Sequence, residues 1–188
     1  PGANAIRLTG HTGPVSMVAF RNDNVHLVSC GADQLIKLWK IEGNSGKEVK
    51  TFKGHKDWVT SVAFSKDGFH VVSSSVDKRM KIWEITSREL PLLAEHTSAV
   101  ETVAVSPDGK LIATGSVDRT IKIWDRVTGV EQATLTGHPS AVMYLAFTPD
   151  SKRLISSGSE ASLRIWEVNP PREVARTKQQ LATMNQLR

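Results

Sequence analysis

The chain has 188 residues, 39% of them hydrophobic, and 24 lysines and arginines against 19 aspartates and glutamates, which suits one domain with a real apolar core. The basic excess gathers at the end, where Arg172, Arg176, Lys178 and Arg188 stand against Glu173 alone, and the rest carries no basic block, which argues against nucleic acid or an anionic membrane as partner. A single cysteine, Cys30, excludes an intrachain disulfide, and no apolar run approaches the roughly 18 residues needed to span a bilayer.

In chain order, Ala5-Ile6-Arg7-Leu8 reads as a short strand ahead of Gly10-His11. Leu27-Val28 leads into Ser29, and Ile36-Lys37-Leu38-Trp39 alternates with the period of two that marks a half-buried strand. The same series returns. Val49–Phe52 and Val59–Phe64 are strands, Ser65-Lys66-Asp67-Gly68 is a turn, and Val71–Ser73 and Met80–Trp83 are strands again. A third series runs through Pro91–Leu93, the turn Ser106-Pro107-Asp108-Gly109, Leu111–Thr114 and Ile121–Trp124. A fourth runs through Ala133–Leu135, Val142–Phe147, the turn Thr148-Pro149-Asp150-Ser151 and Leu163–Trp166. In these turns proline sets φ, aspartate bonds its own backbone and glycine accepts positive φ. The run 172–178 reads as one more outer strand, and 179–188 as a short helical or disordered tail.

The recurrence is metrical. His11, His55, His96 and His138 are separated by 44, 41 and 42 residues, and Trp39, Trp83, Trp124 and Trp166 each follow their histidine by 28. A hydroxyl stands 18 after each histidine (Ser29, Ser73, Thr114, Ser156) and a carboxylate 22 after (Asp33, Asp77, Asp118, Glu160). Self-similarity of this period marks a repeat architecture. With Gly10-His11, Gly54-His55, Gly137-His138 and the pair Trp124-Asp125, the chain resembles the WD-repeat β-propeller family. The resemblance implies an all-β fold, a β-propeller of four WD-type blades of four antiparallel strands over residues 1–178, with repeats at about 5–48, 49–89, 90–131 and 132–178. Glu95-His96 departs from the Gly-His pattern, and Glu160 is longer than the aspartates it replaces, so the fourth blade is expected to be the weakest.

Serine, histidine and aspartate together invite a nucleophilic triad. An active site is one place, however, and this set occurs four times. The resemblance implies a buried hydrogen-bonded tetrad of histidine, hydroxyl, carboxylate and indole in each blade. No histidine or cysteine pair has metal spacing and no glycine-rich phosphate loop is present, so no catalytic residue, metal or cofactor is expected.

The expected function is a non-catalytic scaffold that recognises a protein or peptide on its loop face. By resemblance, positions three and five after each histidine point toward the channel entrance. Here they vary between repeats, and Trp58, Met143, Glu101, Pro14, Thr60 and Ser16 are the partner-binding candidates. Trp58 leads, being the one tryptophan outside the tetrads. Four blades make an open arc with two apolar flanks, which leaves three readings: an excerpt of a longer array, a homodimer closing an eight-bladed ring, or a ring completed by another protein. Either Ala5–Leu8 or residues 172–178 is expected to close the fourth blade. Alternatives for function are a regulatory or sensor segment of a larger multidomain protein and a chromatin or nucleic-acid-associated module. No signal peptide is recognisable at Pro1–Asn4, and the expected compartment is the cytoplasm, with the nucleus as an alternative.

Overall fold

The computed structural model describes residues 5–86, 89–169 and 171–176, and among these every regular element is a strand. The first sheet holds β1 (Val15–Phe20), β2 (His26–Gly31), β3 (Leu35–Glu42) and β4 (Ser45–Lys53). The second holds β5 (Val59–Phe64), β6 (His70–Ser75), β7 (Arg79–Glu84) and β8 (Glu89–Glu95). The third holds β9 (Val100–Val105), β10 (Leu111–Ser116), β11 (Ile121–Asp125) and β12 (Glu131–Leu135). The fourth holds β13 (Val142–Phe147), β14 (Arg153–Gly158), β15 (Leu163–Val168) and β16 (Pro171–Arg176). Each is an antiparallel meander in simple chain order, and the four do not close into a ring.

Alternation explains how the sheets stack. In the first, Val28, Cys30, Ile36 and Leu38 share one face and pack against Val59, Val62, Val71 and Trp83 of the second. Val72, Met80 and Ile82 then meet Val103, Ile112 and Trp124 of the third. Ala113, Ile121 and Ile123 meet Val142, Leu154 and Trp166 of the fourth. Burying each such side chain contributes about 1.5–3 kcal/mol. These stacked faces, rather than any one sheet, hold the arc together, since a lone four-stranded sheet would leave both of its faces in water.

The turns between first and second strands keep the expected chemistry. Ser106 Oγ donates to Asp108 at 2.6 Å and Thr148 Oγ1 to Asp150 at 2.6 Å, with Gly109 at φ 76° and Ser151 at φ 60° in the left-handed position. One hairpin escapes the sequence reading: β3 and β4 extend outward until Glu42 faces Ser45 across Gly43-Asn44, with Gly43 at φ 56°.

One expectation needs correction. Ala5–Leu8 forms no strand, because the outer edge of β3 is already occupied by β4 and no sheet precedes the first. Instead this segment crosses the open flank of the first sheet, where Leu8 fills the space a Cβ on Gly46 would need and Gly10 lies against Trp39. The fourth sheet is closed by Pro171–Arg176, which pairs with β15 from Arg164 to Val168. The repeat starts given above, near 49, 90 and 132, fall inside β4, β8 and β12, so repeats and sheets are offset by about one strand. The expected tail, 179–188, lies outside the described residues.

Candidate functional site

The spaced histidines, hydroxyls, carboxylates and tryptophans converge within each sheet. In the first, His11 Nδ1 lies 2.7 Å from Asp33, its Nε2 lies 2.7 Å from Ser29 Oγ, and Trp39 Nε1 donates to that same oxygen at 2.8 Å. His55, Asp77, Ser73 and Trp83 repeat the set at 2.8, 2.7 and 2.8 Å, and His96, Asp118, Thr114 and Trp124 at 2.9, 2.7 and 2.9 Å. In the fourth sheet His138 binds Ser156 at 2.7 Å and Glu160, and Trp166 donates to Ser156 at 2.8 Å.

Proton accounting fixes the direction of each chain. The indole N–H goes to the hydroxyl oxygen, the hydroxyl proton to His Nε2, and the Nδ1–H to the carboxylate, so a neutral imidazole satisfies every group once. Burial lowers the pKa of His96 and His138, which keeps them neutral in this arrangement. Burial pushes the Asp118 carboxyl up, but hydrogen bonds from Thr120 and the nearby His96 outweigh it and hold the group at about 2. A serine whose oxygen accepts an indole proton inside a sheet is not an available nucleophile. The Cys30 thiol is equally inert, pushed by burial up to about 12. Among the described residues no group of three His, Cys, Asp or Glu side chains is placed to hold a metal ion.

A second polar set was not legible as a unit. Lys37 Nζ donates to Glu48 at 2.8 Å and to Thr51 at 3.0 Å, linking β3 to β4. Lys122 reaches Glu131 at 2.5 Å and Thr134 at 3.1 Å across β11 and β12, and Arg164 reaches Glu173 at 2.9 Å across β15 and β16. The signal was present as Glu-x-x-Thr in the outer strands of the first and third sheets, whereas the fourth has Arg176 in place of the threonine, and the glutamate follows its cation by 11 residues in the first sheet and by 9 in the other two.

The partner-binding candidates have a different setting. β1, β5, β9 and β13 stand side by side along the inner edge of the arc. Each has a β-bulge at the same point: Val15 to Met17, Val59 to Ser61, Val100 to Thr102, and Val142 to Tyr144. The extra residues are Ser16, Thr60, Glu101 and Met143. A bulge leaves its residue outside the ladder and re-aims the side chain, here into a groove of about 380 Å³. Trp58, immediately before β5, lines it as well, together with Met17, Val76 and Tyr144. Trp58 is 43% exposed and its Nε1 donates to Ser16 Oγ on the neighbouring sheet. Thr60 Oγ1 donates to the Val100 carbonyl at 2.6 Å. Pro14 does not line the groove. It sits at the exposed rim, where its carbonyl accepts the Ala32 N–H at 2.9 Å.

Glu101 stands apart. It is half-buried, burial raises its pKa, and it has no hydrogen-bond or ion-pair partner among the described residues. Among the described residues no lysine, arginine or histidine lines the groove. A larger depression of about 1050 Å³ opens at the opposite ends of the third and fourth sheets, but its carboxylates are engaged: Asp150 by Thr148 and the Lys152 N–H, Asp108 by Ser106, and Glu167 by Arg172.

The family model described as WD domain, G-beta repeat matches four stretches, residues 3–40, 46–84, 88–125 and 129–167. The chain belongs to the WD-repeat family. No curated protein matches it with significance. Each matched WD repeat ends one residue after a tetrad tryptophan, at Lys40, Glu84, Asp125 and Glu167. The second, third and fourth repeats therefore each supply the outer strand of one sheet and the first three strands of the next. WD repeats generally act as scaffolds for protein–protein interaction and are typically non-catalytic.

Proposed function

We propose that this chain is a non-catalytic recognition module that receives a protein or peptide segment in the groove formed by the bulges of β1, β5, β9 and β13. The groove itself carries this reading. A rigid scaffold repeats four times, and the residues it aims at one place are unlike one another: Ser16, Thr60, Glu101, Met143 and the exposed Trp58. Variable side chains on a fixed frame are where recognition is expected, and an exposed tryptophan beside methionines is a favourable anchor. Among the described residues its lining has no basic side chain, which argues against phosphate backbones as the ligand there. The test is selection of peptides from a displayed library, followed by NMR mapping. Selected peptides should shift the Trp58 indole signal and lose affinity by about 30-fold with Trp58→Ala, the equivalent of roughly 2 kcal/mol. Peptides that bind only elsewhere, or none at all, would end the proposal.

A second copy of the chain is the partner we assign to the open flanks. The exposed flank of the fourth sheet presents Ile155, Leu163 and Ile165, in the positions that Ala113, Ile121 and Ile123 use against the next sheet. The first sheet presents Val18 and Phe20, 53% and 61% exposed, in the positions of Leu145 and Phe147. Flank and flank are thus of matching kind, and two such junctions would close eight sheets by a two-fold axis. Light scattering should give twice 20.6 kDa, falling to the single value with Phe20→Lys. A single-chain mass at high concentration would refute it.

A further inference from the structure

We propose that the groove is a subsite for one cationic side chain, an arginine or lysine presented by the docked segment and paired with the Glu101 carboxylate. The inference rests on the peptide-docking reading and specifies the chemistry of its ligand.

Glu101 occupies the bulge of β9, between the fully buried Val100 and the largely buried Thr102, so its backbone is fixed by the ladder on either side. A half-buried carboxylate normally accepts hydrogen bonds or faces a cation, because removing it from water without compensation is costly. Glu101 has neither among the described residues. Two hydroxyls that line the groove have contacts of their own: Thr60 donates to the Val100 carbonyl at 2.6 Å, and Ser16 Oγ accepts the Trp58 indole N–H. Other half-exposed acids show what is missing here. Glu48, Glu131, Glu160 and Glu173 each have at least one cationic or hydroxyl donor within hydrogen-bond reach.

The surroundings suit a long cation rather than a bare ion. Met17, Met143 and Val76 offer apolar surface for an alkyl stem, which lysine and arginine bury while keeping the charged head in a polar place. Trp58 and Tyr144 line the same groove, and aromatic faces attract an ammonium or guanidinium group. A volume of about 380 Å³ accommodates one or two side chains rather than a folded element. Among the described residues no basic side chain lines the groove to compete for the carboxylate or repel the incoming charge. A single carboxylate with methionines and aromatics is a poor donor set for a hard metal ion, which takes several oxygens.

The experiment titrates the ¹⁵N-labelled chain with three small probes: N-acetyl-arginine methylamide, N-acetyl-lysine methylamide and the uncharged N-acetyl-norleucine methylamide. The Trp58 indole signal and the groove amides report binding, and the four tetrad indole signals report the fold. At least one cationic probe should act at a concentration about tenfold lower than norleucine. Glu101→Gln should erase that preference while the tetrad signals stay in place. Equal potency of all three probes, or a preference that survives Glu101→Gln, would overturn the inference. Library peptides that map to the groove but need no basic residue would sink it alone and leave peptide docking standing. Failure of every peptide to map to the groove would sink both.

Discussion

Pro139 removes the backbone N–H that its counterparts Thr12, Lys56 and Thr97 donate to an aspartate, and Glu160 recovers a donor by reaching the Ser140 hydroxyl instead. In the first three sheets that backbone bond spans 2.9–3.0 Å, and the aspartate also accepts from its own turn two residues on. Those turns hold Gln34, Lys78 and Arg119 at positive φ, whereas Ala161 in the fourth does not adopt it. The longer carboxylate is therefore part of a different local solution rather than a poor copy of the other three.

Shortening it should accordingly harm the protein. Glu160→Asp is expected to cost about 1 kcal/mol, the typical net worth of a lost hydrogen bond. Adding Pro139→Thr restores the backbone donor, so the double variant should unfold at higher urea than the two single effects imply. Double-mutant analysis of the urea midpoints measures this coupling, and simple additivity would contradict it.

Trp124→Ala should destabilise by roughly 3–5 kcal/mol, since it empties a core site and leaves the Thr114 oxygen without its donor. Trp124→Phe keeps most of the volume and should cost about 1–3 kcal/mol, mainly for the unsatisfied oxygen. Thermal or urea unfolding separates the two. Equal losses would mean that volume alone matters at this position.

Trp58→Ala should leave stability within about 1 kcal/mol, as for a surface change, because its ring is 43% exposed and its one polar bond goes to exposed Ser16. The same variant should show the binding loss described above. A large fall in the melting midpoint would instead place Trp58 in the packing between the first and second sheets.

Acid should weaken the fold in two stages. The pKa values of His96 and His138 are lowered by burial, so the unfolded chain takes up their protons first and stability falls as pH drops below about 6.5. Asp33, Asp77, Asp118 and Glu160 are lowered despite burial, by their hydrogen bonds and histidines, and their stabilisation is lost as pH falls below the ordinary carboxylate range, for Asp118 down to about 2. Glu101 runs the other way: its raised pKa means that its ionisation on going to neutral pH opposes folding. Glu101→Gln should therefore raise the melting midpoint at pH 7 and change it little at pH 3. Midpoints that stay flat between pH 7 and 5 would contradict the histidine contribution.

Particular residues show how far the sequence could be read. The tetrads were legible because four chemically unlike groups keep fixed offsets, and fixed offsets survive only where backbone geometry is the same in each copy. The bulges were less visible, although Val59 and Val62, or Val142 and Leu145, carry the trace: apolar residues three apart where a regular strand would place them two or four apart. Met17 and Tyr144 were missed as groove residues for that reason. The segment Ala5–Leu8 was misread because it stands as far ahead of Gly10-His11 as Val49–Phe52 stands ahead of Gly54-His55, and a place in the repeat does not reveal whether an unpaired edge exists to receive it. Lys37, Lys122 and Arg164 alternate with apolar residues in the third strands, but their partners lie across a hairpin, 11 residues on for Lys37 and 9 for the other two.

The offset between repeat and sheet has a consequence for how such a chain changes size. Residues 88–125 contain β8 through β11, so excising them would bring β12 directly after β7. β12 pairs with β11 much as β8 pairs with β7, with Leu135 opposite Ile121 and Ala94 opposite Met80, so the orphaned edge would find a replacement of the same kind. Gain or loss of one whole repeat thus leaves every sheet four-stranded, and the arc can lengthen or shorten by duplication without passing through a broken intermediate.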